Sequence, residues 1–342
     1  MLAIDLSPVC GAWTGVGRYV DDLTTGLVKA GTPFQGVYQG HHGQLEPRVA
    51  TRAPHHRYDL ITGRIGLLFR LGPLLRQHGI TCYHATSTIG VPRAWSGRMI
   101  VTVHDCFPLT HPQWFPARQR RLFHRLLLQC TQRSATVITP SHDSADTLRQ
   151  HGISSPCVIP HGIAEPAPLP QGAAPNAKPY MLTVGAIEPR KGLAFLATVD
   201  RGSLEWIHIG STRHDPQNTI RQTMVRAGAK LLGHVDEATR QRYLAHARVF
   251  AMPSLAEGFG YPLLEAMNAG TPVVATKLPV FDEFAPSAFL LEHDPTAWRD
   301  RLANLNTSDQ ARCDHINQGR EAAKRLSLNA MVDGHRTAYG LT

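Results

Sequence analysis

Residues 249–276, VFAMPSLAEGFGYPLLEAMNAGTPVVAT, read as a strand, a glycine-bearing loop, a helix and a second strand. Pro262 suits the first position of a helix, where its missing N–H leaves no bond unmade. The helix runs LLEAMNA and stops at Gly270, a common helix-ending glycine. TPVVAT then resumes the sheet. The helix start therefore lies at a strand's end, beside Gly258 and Gly260, where free N–H groups and the helix dipole favour an anion. Two carboxylates frame it. Glu257 in the loop can reach hydroxyls, and Glu265 in the first helical turn can hold a diol through two O–H···carboxylate bonds. The plainer alternatives are a solvated loop carboxylate for Glu257 and a complement to the helix dipole for Glu265.

The same alternation extends in both directions. Upstream lie the strand patterns LAIDL (2–6), TCYHAT (81–86), MIVTVHD (99–105), ATVITPS (135–141) and CVIP (157–160). A Pro/Ala-rich stretch without periodicity, 164–179, reads as a linker. YMLTVGA (180–186), EWIHIGS (205–211), KLLGHV (230–235) and AFLLE (288–292) continue the pattern after it. Strands separated by helices imply βαβ units and parallel sheets. The fold class is α/β, with two doubly wound domains, 1–170 and from 171 onward, and the active site in the cleft between them.

The 342 residues are 42% hydrophobic and 18% charged, which excludes wholesale disorder and fibrous repeats. No apolar stretch approaches the ~20 residues needed to span a bilayer. The start, MLAIDLSPVC, lacks a basic region and carries Asp5 in its only apolar run, so a signal peptide is not expected and the chain should stay in the cytoplasm. The six cysteines form no C-x-x-C, which argues against a zinc site or a disulfide framework.

Net charge is +9, unevenly placed. Residues 1–170 hold 16 Lys+Arg against 9 Asp+Glu (+7), and residues 171–342 hold 19 against 17 (+2). Such a basic half suggests an anionic partner. Nucleic acid is disfavoured because no binding motif or aromatic–basic interleaving is present. In the helix pattern FPARQRRLFHRLLLQC (115–130), Arg118, Arg120, Arg121 and Arg125 alternate with Leu122, Phe123 and Leu126. It fits either an ordinary half-buried helix or a contact with an anionic membrane surface or lipid phosphates. The stretch 65–79 offers the same two readings.

Three further motifs carry chemistry. In TVGAIEPRKGL (183–193), Gly185 ends a strand, and Arg190 and Lys191 follow at a helix start, where adjacent cations suit a diphosphate. A solvated basic helix end is the alternative. VTVHD ends in His104 and Asp105, expected at a strand end; imidazole can bond a sugar hydroxyl or orient a reacting group. Asp105 could instead cap the next turn. WTGVGRY (13–19) offers Gly15 and Gly17 for close ligand approach, with Arg18 beside them. It lacks the third glycine and the acidic residue of a dinucleotide fingerprint, so NAD is disfavoured.

The glutamate pair with its flanking GFG and EAMNAGTPVVAT, the E-P-R-K run, the V-x-H-D ending and T-G-V-G-R-Y together resemble the retaining group-1 (family-4) glycosyltransferases, especially mannosyl- and rhamnosyltransferases. The resemblance covers essentially the whole chain. It implies the two-Rossmann-domain (GT-B) architecture, with residues about 327–342 packing back onto the first domain. It implies that Glu265 binds the ribose of a nucleotide sugar and that Glu257 and the Phe259 and Gly260 N–H groups face the donor sugar. Arg190 and Lys191 become the diphosphate clamp, and Gly185, Leu264 and Val235 (the last in a loop resembling the base-contacting one) line the donor side. His104 joins the catalytic set with Glu257, Arg190 and Lys191. Gly15 and Gly17 lie by the donor phosphates, and Arg18, Asp105, Arg118 and Arg121 fall on the acceptor side.

The implied reaction moves a hexose from a nucleotide sugar to a glycan or lipid-linked acceptor in surface polysaccharide synthesis. GDP-mannose or a GDP-deoxyhexose is the first expectation, and UDP- and dTDP-sugars come next. No two of the 16 aspartates form D-x-D, so neither metal nor another cofactor is expected. The rival readings are a phosphorylase or epimerase of the same fold and an inactive binding subunit. The enzyme is expected in the cytoplasm, peripherally at the inner face of the membrane.

Overall fold

The computed structural model describes residues 1–10, 14–39, 44–58, 63–92, 95–132, 136–164, 174–212, 215 and 217–341. Trp13 of the glycine motif, the middle of the Pro/Ala-rich stretch and the side chains of Cys130 and of residues 65–69 lie outside that description. The chain divides into two compact units, Met1–Ala164 with Ser327–Thr342, and Glu165–Leu326.

The first unit is built on seven strands: β1 (Leu2–Asp5), β2 (Gln35–Gln39), β3 (His55–Tyr58), β4 (Cys82–Ala85), β5 (Arg98–Thr102), β6 (Thr136–Thr139) and β7 (Cys157–Val158). Their order is β3-β2-β1-β4-β5-β6-β7, and every pairing is parallel. The second unit has six: β8 (Tyr180–Val184), β9 (Glu205–Ile209), β10 (Ala229–Gly233), β11 (Val249–Met252), β12 (Val273–Thr276) and β13 (Leu290–Leu291). Their order is β10-β9-β8-β11-β12-β13, again all parallel. Both sheets reverse direction of growth beside their first strand, between β1 and β4 and between β8 and β11. In doubly wound sheets ligands bind past the carboxyl ends of the strands at such a reversal.

Each unit has its own core. In the first, Ala3, Tyr83, Met99, Val101 and Val137 from the strands meet Leu71 and Leu75 of the helix Gly63–Gln77 and Leu148 of the helix His142–Gln150. In the second, Met181, Trp206, Val249 and Val274 meet Met224, Trp298, Leu302 and Leu305. The last helix, Leu328–Tyr339, belongs to the first unit. Ser327 caps it, its hydroxyl accepting from the Ala330 N–H, and Gly340 ends it in the left-handed conformation. It lies against the helix Gly15–Lys29 at Gly26, where a Cβ would meet Val332 Cγ2 at 2.3 Å. Only glycine permits that approach.

Several boundaries differ from the sequence reading. Strands β2 and β3, QGVYQ and HHRY, are mainly polar and sit at one side of the sheet, where alternating apolar residues are not required. Strand β5 stops at Thr102, so His104 and Asp105 lie in the loop beyond it and do not close the strand. The helix carrying Glu265 spans Tyr261–Ala269, which puts Pro262 second and Glu265 in the second turn. Gly15 and Gly17 occupy the first turn of a helix, not a loop, with the Gly17 N–H donating to Thr14 Oγ1 at 3.2 Å.

Candidate active site

The β8/β11 reversal gathers four charged side chains. After Gly185 the chain turns through Pro189–Lys191, and after β11 it turns through Ser254–Gly260. The Leu255 N–H donates to the Arg190 carbonyl at 2.8 Å, tying the two loops together. Glu257 is 8% exposed. Its Oε1 accepts from Lys191 Nζ and from Ser254 Oγ, both at 2.6 Å, and its Oε2 accepts from Arg190 Nη1 at 2.9 Å. Arg190 Nη2 donates to Glu188 Oε1 at 2.5 Å. Burial would raise the Glu257 carboxyl, but Lys191, Arg190 and the hydrogen bonds from Lys191 and Ser254 outweigh it and hold it at about 2. Burial pulls Lys191 below its ordinary value, against the attraction of Glu257. The Arg190–Lys191 pair is thus formally neutralised, with two cations on two carboxylates. Lys191 has two N–H donors beyond the one on Glu257.

Glu265 is equally buried and lies in a bidentate pair. Arg240 of the helix Glu237–His246 donates from Nη1 to Oε2 at 2.5 Å and from Nη2 to Oε1 at 2.9 Å. Arg240 also holds Glu237 through Nε at 3.0 Å and Nη2 at 2.8 Å. A diol on Glu265 would therefore share oxygens already held by a guanidinium. Phe259 stacks on Phe284 with centroids 5.1 Å apart, so its ring packs inward and the expected donor contact falls to its main chain. Gly260 adopts φ +100 at the helix start, and a Cβ there would meet Phe281 Cε1 at 2.5 Å. Leu264 is fully buried. Val235 is half-buried in the segment between β10 and the Arg240 helix.

The first unit's reversal gathers imidazoles beside the buried carboxyl of Asp5. His104 Nε2 lies 2.8 Å from the Thr86 carbonyl and Nδ1 lies 3.3 Å from His161 Nε2. Its ring meets that of Tyr19 edge-on, centroids 4.9 Å apart. Burial drives the His104 imidazole down to about 4, with the Thr86 contact opposing. Asp105 accepts from the Phe107 N–H at 3.3 Å, the turn-capping alternative. Arg18 pairs with Asp22 at 2.9 Å, an i,i+4 pair within its own helix. Ser141 caps the helix His142–Gln150. Arg118 and Arg121 stand exposed on the helix Ala117–Gln132, which also exposes Leu122 and Leu128.

Family models match both halves of the chain, "Glycosyltransferase Family 4" over residues 13–165 and "Glycosyl transferases group 1" over residues 178–308. The chain belongs to the group-1, family-4 glycosyltransferases. The O-antigen chain mannosyltransferase B of Escherichia coli is 25% identical over 328 residues, covering 83% of this chain and 84% of that one. Among solved structures, a sucrose-phosphate synthase from Thermosynechococcus elongatus aligns with TM-score 0.80 at 18% identity, covering 99% of this chain and 98% of that one. Anabaena HepE, solved in complex with UDP-glucose, aligns with TM-score 0.76 at 18% identity over 100% of both chains. These likenesses establish the GT-B fold.

For this glycosyltransferase the motif reading left out the partners of the motif residues. Glu188 and Ser254 stand inside the quoted segments and went without a role. Arg240 could have been suspected from its i,i+3 spacing to Glu237 on a helix. His161, Tyr19, His84 and His335 come from four separate parts of the chain, and no spacing links them.

Proposed function

We propose that this glycosyltransferase moves a hexose from a nucleotide sugar to a glycan or lipid-linked acceptor in surface polysaccharide synthesis, with retention at the anomeric carbon and without a metal. The observation that carries it is the convergence of Arg190 and Lys191 on Glu257 at the β8/β11 reversal. Two cations there suit the negative charge that grows on a leaving diphosphate, and preorganised charge is the largest single contribution in many enzymes. Glu257 would orient the donor sugar's hydroxyls and Glu265 the ribose. The C1–O bond to phosphate breaks as the acceptor oxygen bonds C1 on the same face, and the acceptor's proton passes to the departing phosphate oxygen. Positioning and electrostatics then supply most of the catalysis.

The E. coli relative's name supports mannose, so GDP-mannose or a GDP-deoxyhexose is the first choice of donor. The UDP-glucose held by HepE keeps UDP-sugars as the second. A thermal-shift screen with GDP, UDP, ADP and dTDP decides the base, since a ligand at 100 times its dissociation constant adds about 2.7 kcal/mol. NMR of the product's anomeric proton reads retention or inversion. Full turnover in EDTA is expected, and a strict divalent-metal requirement would overturn the metal-free reading. On the acceptor side, Arg118, Arg121 and Arg125, exposed beside Leu122 and Leu128, suit lipid phosphates at an anionic membrane surface.

A further inference from the structure

Five buried aromatic titratable side chains of the first unit, Tyr19, His84, His161, His335 and Tyr339, form one group with the half-buried His104. Two backbone carbonyls fix where their protons sit. A carbonyl only accepts, so His104 Nε2, 2.8 Å from Thr86 O, carries hydrogen. His335 Nδ1, 2.8 Å from Met331 O, carries hydrogen for the same reason. Burial disfavours charge on all four imidazoles, so each ring is neutral and its other nitrogen is an acceptor.

The remaining directions then follow without choice. His335 Nε2 must accept, so the Tyr19 O–H donates to it at 2.7 Å. Tyr19 oxygen has then used its proton and accepts from Thr102 Oγ1 at 2.9 Å. Thr102 in turn accepts from His84 Nε2 at 2.8 Å. His84 Nδ1 accepts from Tyr339 O–H at 2.8 Å. One directed chain of hydrogen bonds runs from the last helix through β4 and β5 to the Tyr19 helix and back to the last helix. It holds the Tyr19 ring, which packs on His104 at 4.9 Å and on His161 at 4.7 Å between centroids.

By the same logic His104 Nδ1 is an acceptor, and the group 3.3 Å from it is His161 Nε2, which must supply the proton. We propose that His161 is a positioning residue for His104: its Nε2–H fixes that ring as the neutral Nε2–H tautomer against Tyr19, so that the ring orients substrate and does not take the acceptor's proton. This rests on the reading that places His104 in the active site. It gives His104 a different task from a general base, because the nitrogen that would take a proton, Nδ1, already accepts from His161. The titratable groups facing the ring are Tyr19 from the first helix, His84 from β4, His161 after β7 and His335 from the last helix.

The test has a spectroscopic arm and a kinetic arm. Long-range 1H–15N spectra of the full chain at pH 7 should show His104 as the Nε2–H tautomer and His335 as the Nδ1–H tautomer. A His104 Nδ1–H tautomer would overturn the proposal. His161→Leu should lower kcat at least 10-fold with donor KM unchanged, and should give kcat an acid limb that moves up towards the ordinary imidazole value of about 6.5 as His104 Nδ1 opens to protonation. His161→Gln, whose amide N–H reaches the position of Nε2 and can still donate, should restore most of the rate. Gln no better than Leu, in variants whose circular dichroism matches the wild type, would overturn the positioning role. His104→Ala separates the two readings. If it keeps wild-type kcat, the active-site assignment of His104 fails; if it loses activity while His161→Leu does not, the positioning proposal alone fails.

Discussion

The two sheet reversals share a strand order and differ in how they balance charge. Between β8 and β11, Arg190 and Lys191 are matched by Glu257 and Glu188 within hydrogen-bonding distance. Beside β1 and β4, four imidazoles and two phenols are kept neutral by burial and joined by directed hydrogen bonds. A fold therefore does not dictate the electrostatics of its ligand end. On the proposed function, the ion-paired end would receive a diphosphate by exchanging carboxylate contacts for phosphate ones. The aromatic cluster holds its groups in place by neutral hydrogen bonds, which suits the handling of hydroxyls. The contrast can be broken at either end.

The largest effect is expected from acid. His335 is fully buried and held at about 4, so the unfolded chain binds its proton first. Its stabilising contribution is complete above about 6.5 and is lost as pH falls towards 4, on the order of 3 kcal/mol at 1.36 kcal/mol per unit. His84 and His161 act in the same direction. Asp5, raised by burial to about 6 despite its Ser7 hydrogen bonds, acts in the opposite one. Urea unfolding from pH 7 to 4, wild type against His335→Leu, isolates the histidine. The variant should be the less pH-dependent of the two, and equal slopes would contradict a neutral His335. The charged end responds lower, because Glu257 keeps its contribution above about 4.5 and loses it only as pH falls through about 2.

The next effect is catalytic. Lys191→Ala should lower kcat by about 10²–10³, the range for losing one transition-state donor. It should also leave Glu257 with a weaker hold, which a rise in that carboxyl's pKa by 13C NMR would register. Unchanged turnover would show that the preassembled pair is structural.

Glu265→Ala tests the bidentate pair. If the ribose binds here, nucleotide affinity should fall by roughly 1.5–3 kcal/mol, the worth of a hydrogen bond to a charged group. Isothermal titration reads it. Arg240→Ala sharpens the point, since it removes the bidentate contact to Glu265. Equal nucleotide affinity in the wild type and in folded Glu265→Ala would leave Glu265 as Arg240's partner alone.

The smallest effect per residue concerns the exposed arginines. Each basic side chain near an anionic surface contributes about 1 kcal/mol, screened within about 8 Å at physiological salt. Co-sedimentation with phosphatidylglycerol vesicles should weaken with salt and weaken again in the Arg118, Arg121 and Arg125 alanine variant. Indifference of the wild type to these vesicles would remove the membrane from the acceptor's description.

What the sequence disclosed follows from range. The strands β8, β11 and β12, the stop at Gly270 and the Glu257 loop were legible because local chemistry specifies them. Residues such as Pro262 and Gly260 act on their own backbone. The strands β2 and β3 were not, because Gln35, Gln39, His55 and Arg57 carry no apolar alternation. The Glu265–Arg240 pair joins two helices whose polar faces each look ordinary. Tyr19, His84, His161 and His335 are neighbours only after β1, β4, β7 and the last helix are assembled, so their joint role has no signature along the chain.

The assignment of Ser327–Thr342 to the first unit has a consequence for synthesis. Tyr19 and His84 leave the ribosome early, yet their partners His335 and Tyr339 follow only after the roughly 160 residues of the second unit. At about 5–20 residues per second the delay is about 10–30 s. During that interval the second unit can close its own sheet while the first waits with a tyrosine and a histidine lacking their final partners and a helix groove at Gly26 unfilled. The half that is made first is thus completed last, and the interval is a window for chaperones to hold it.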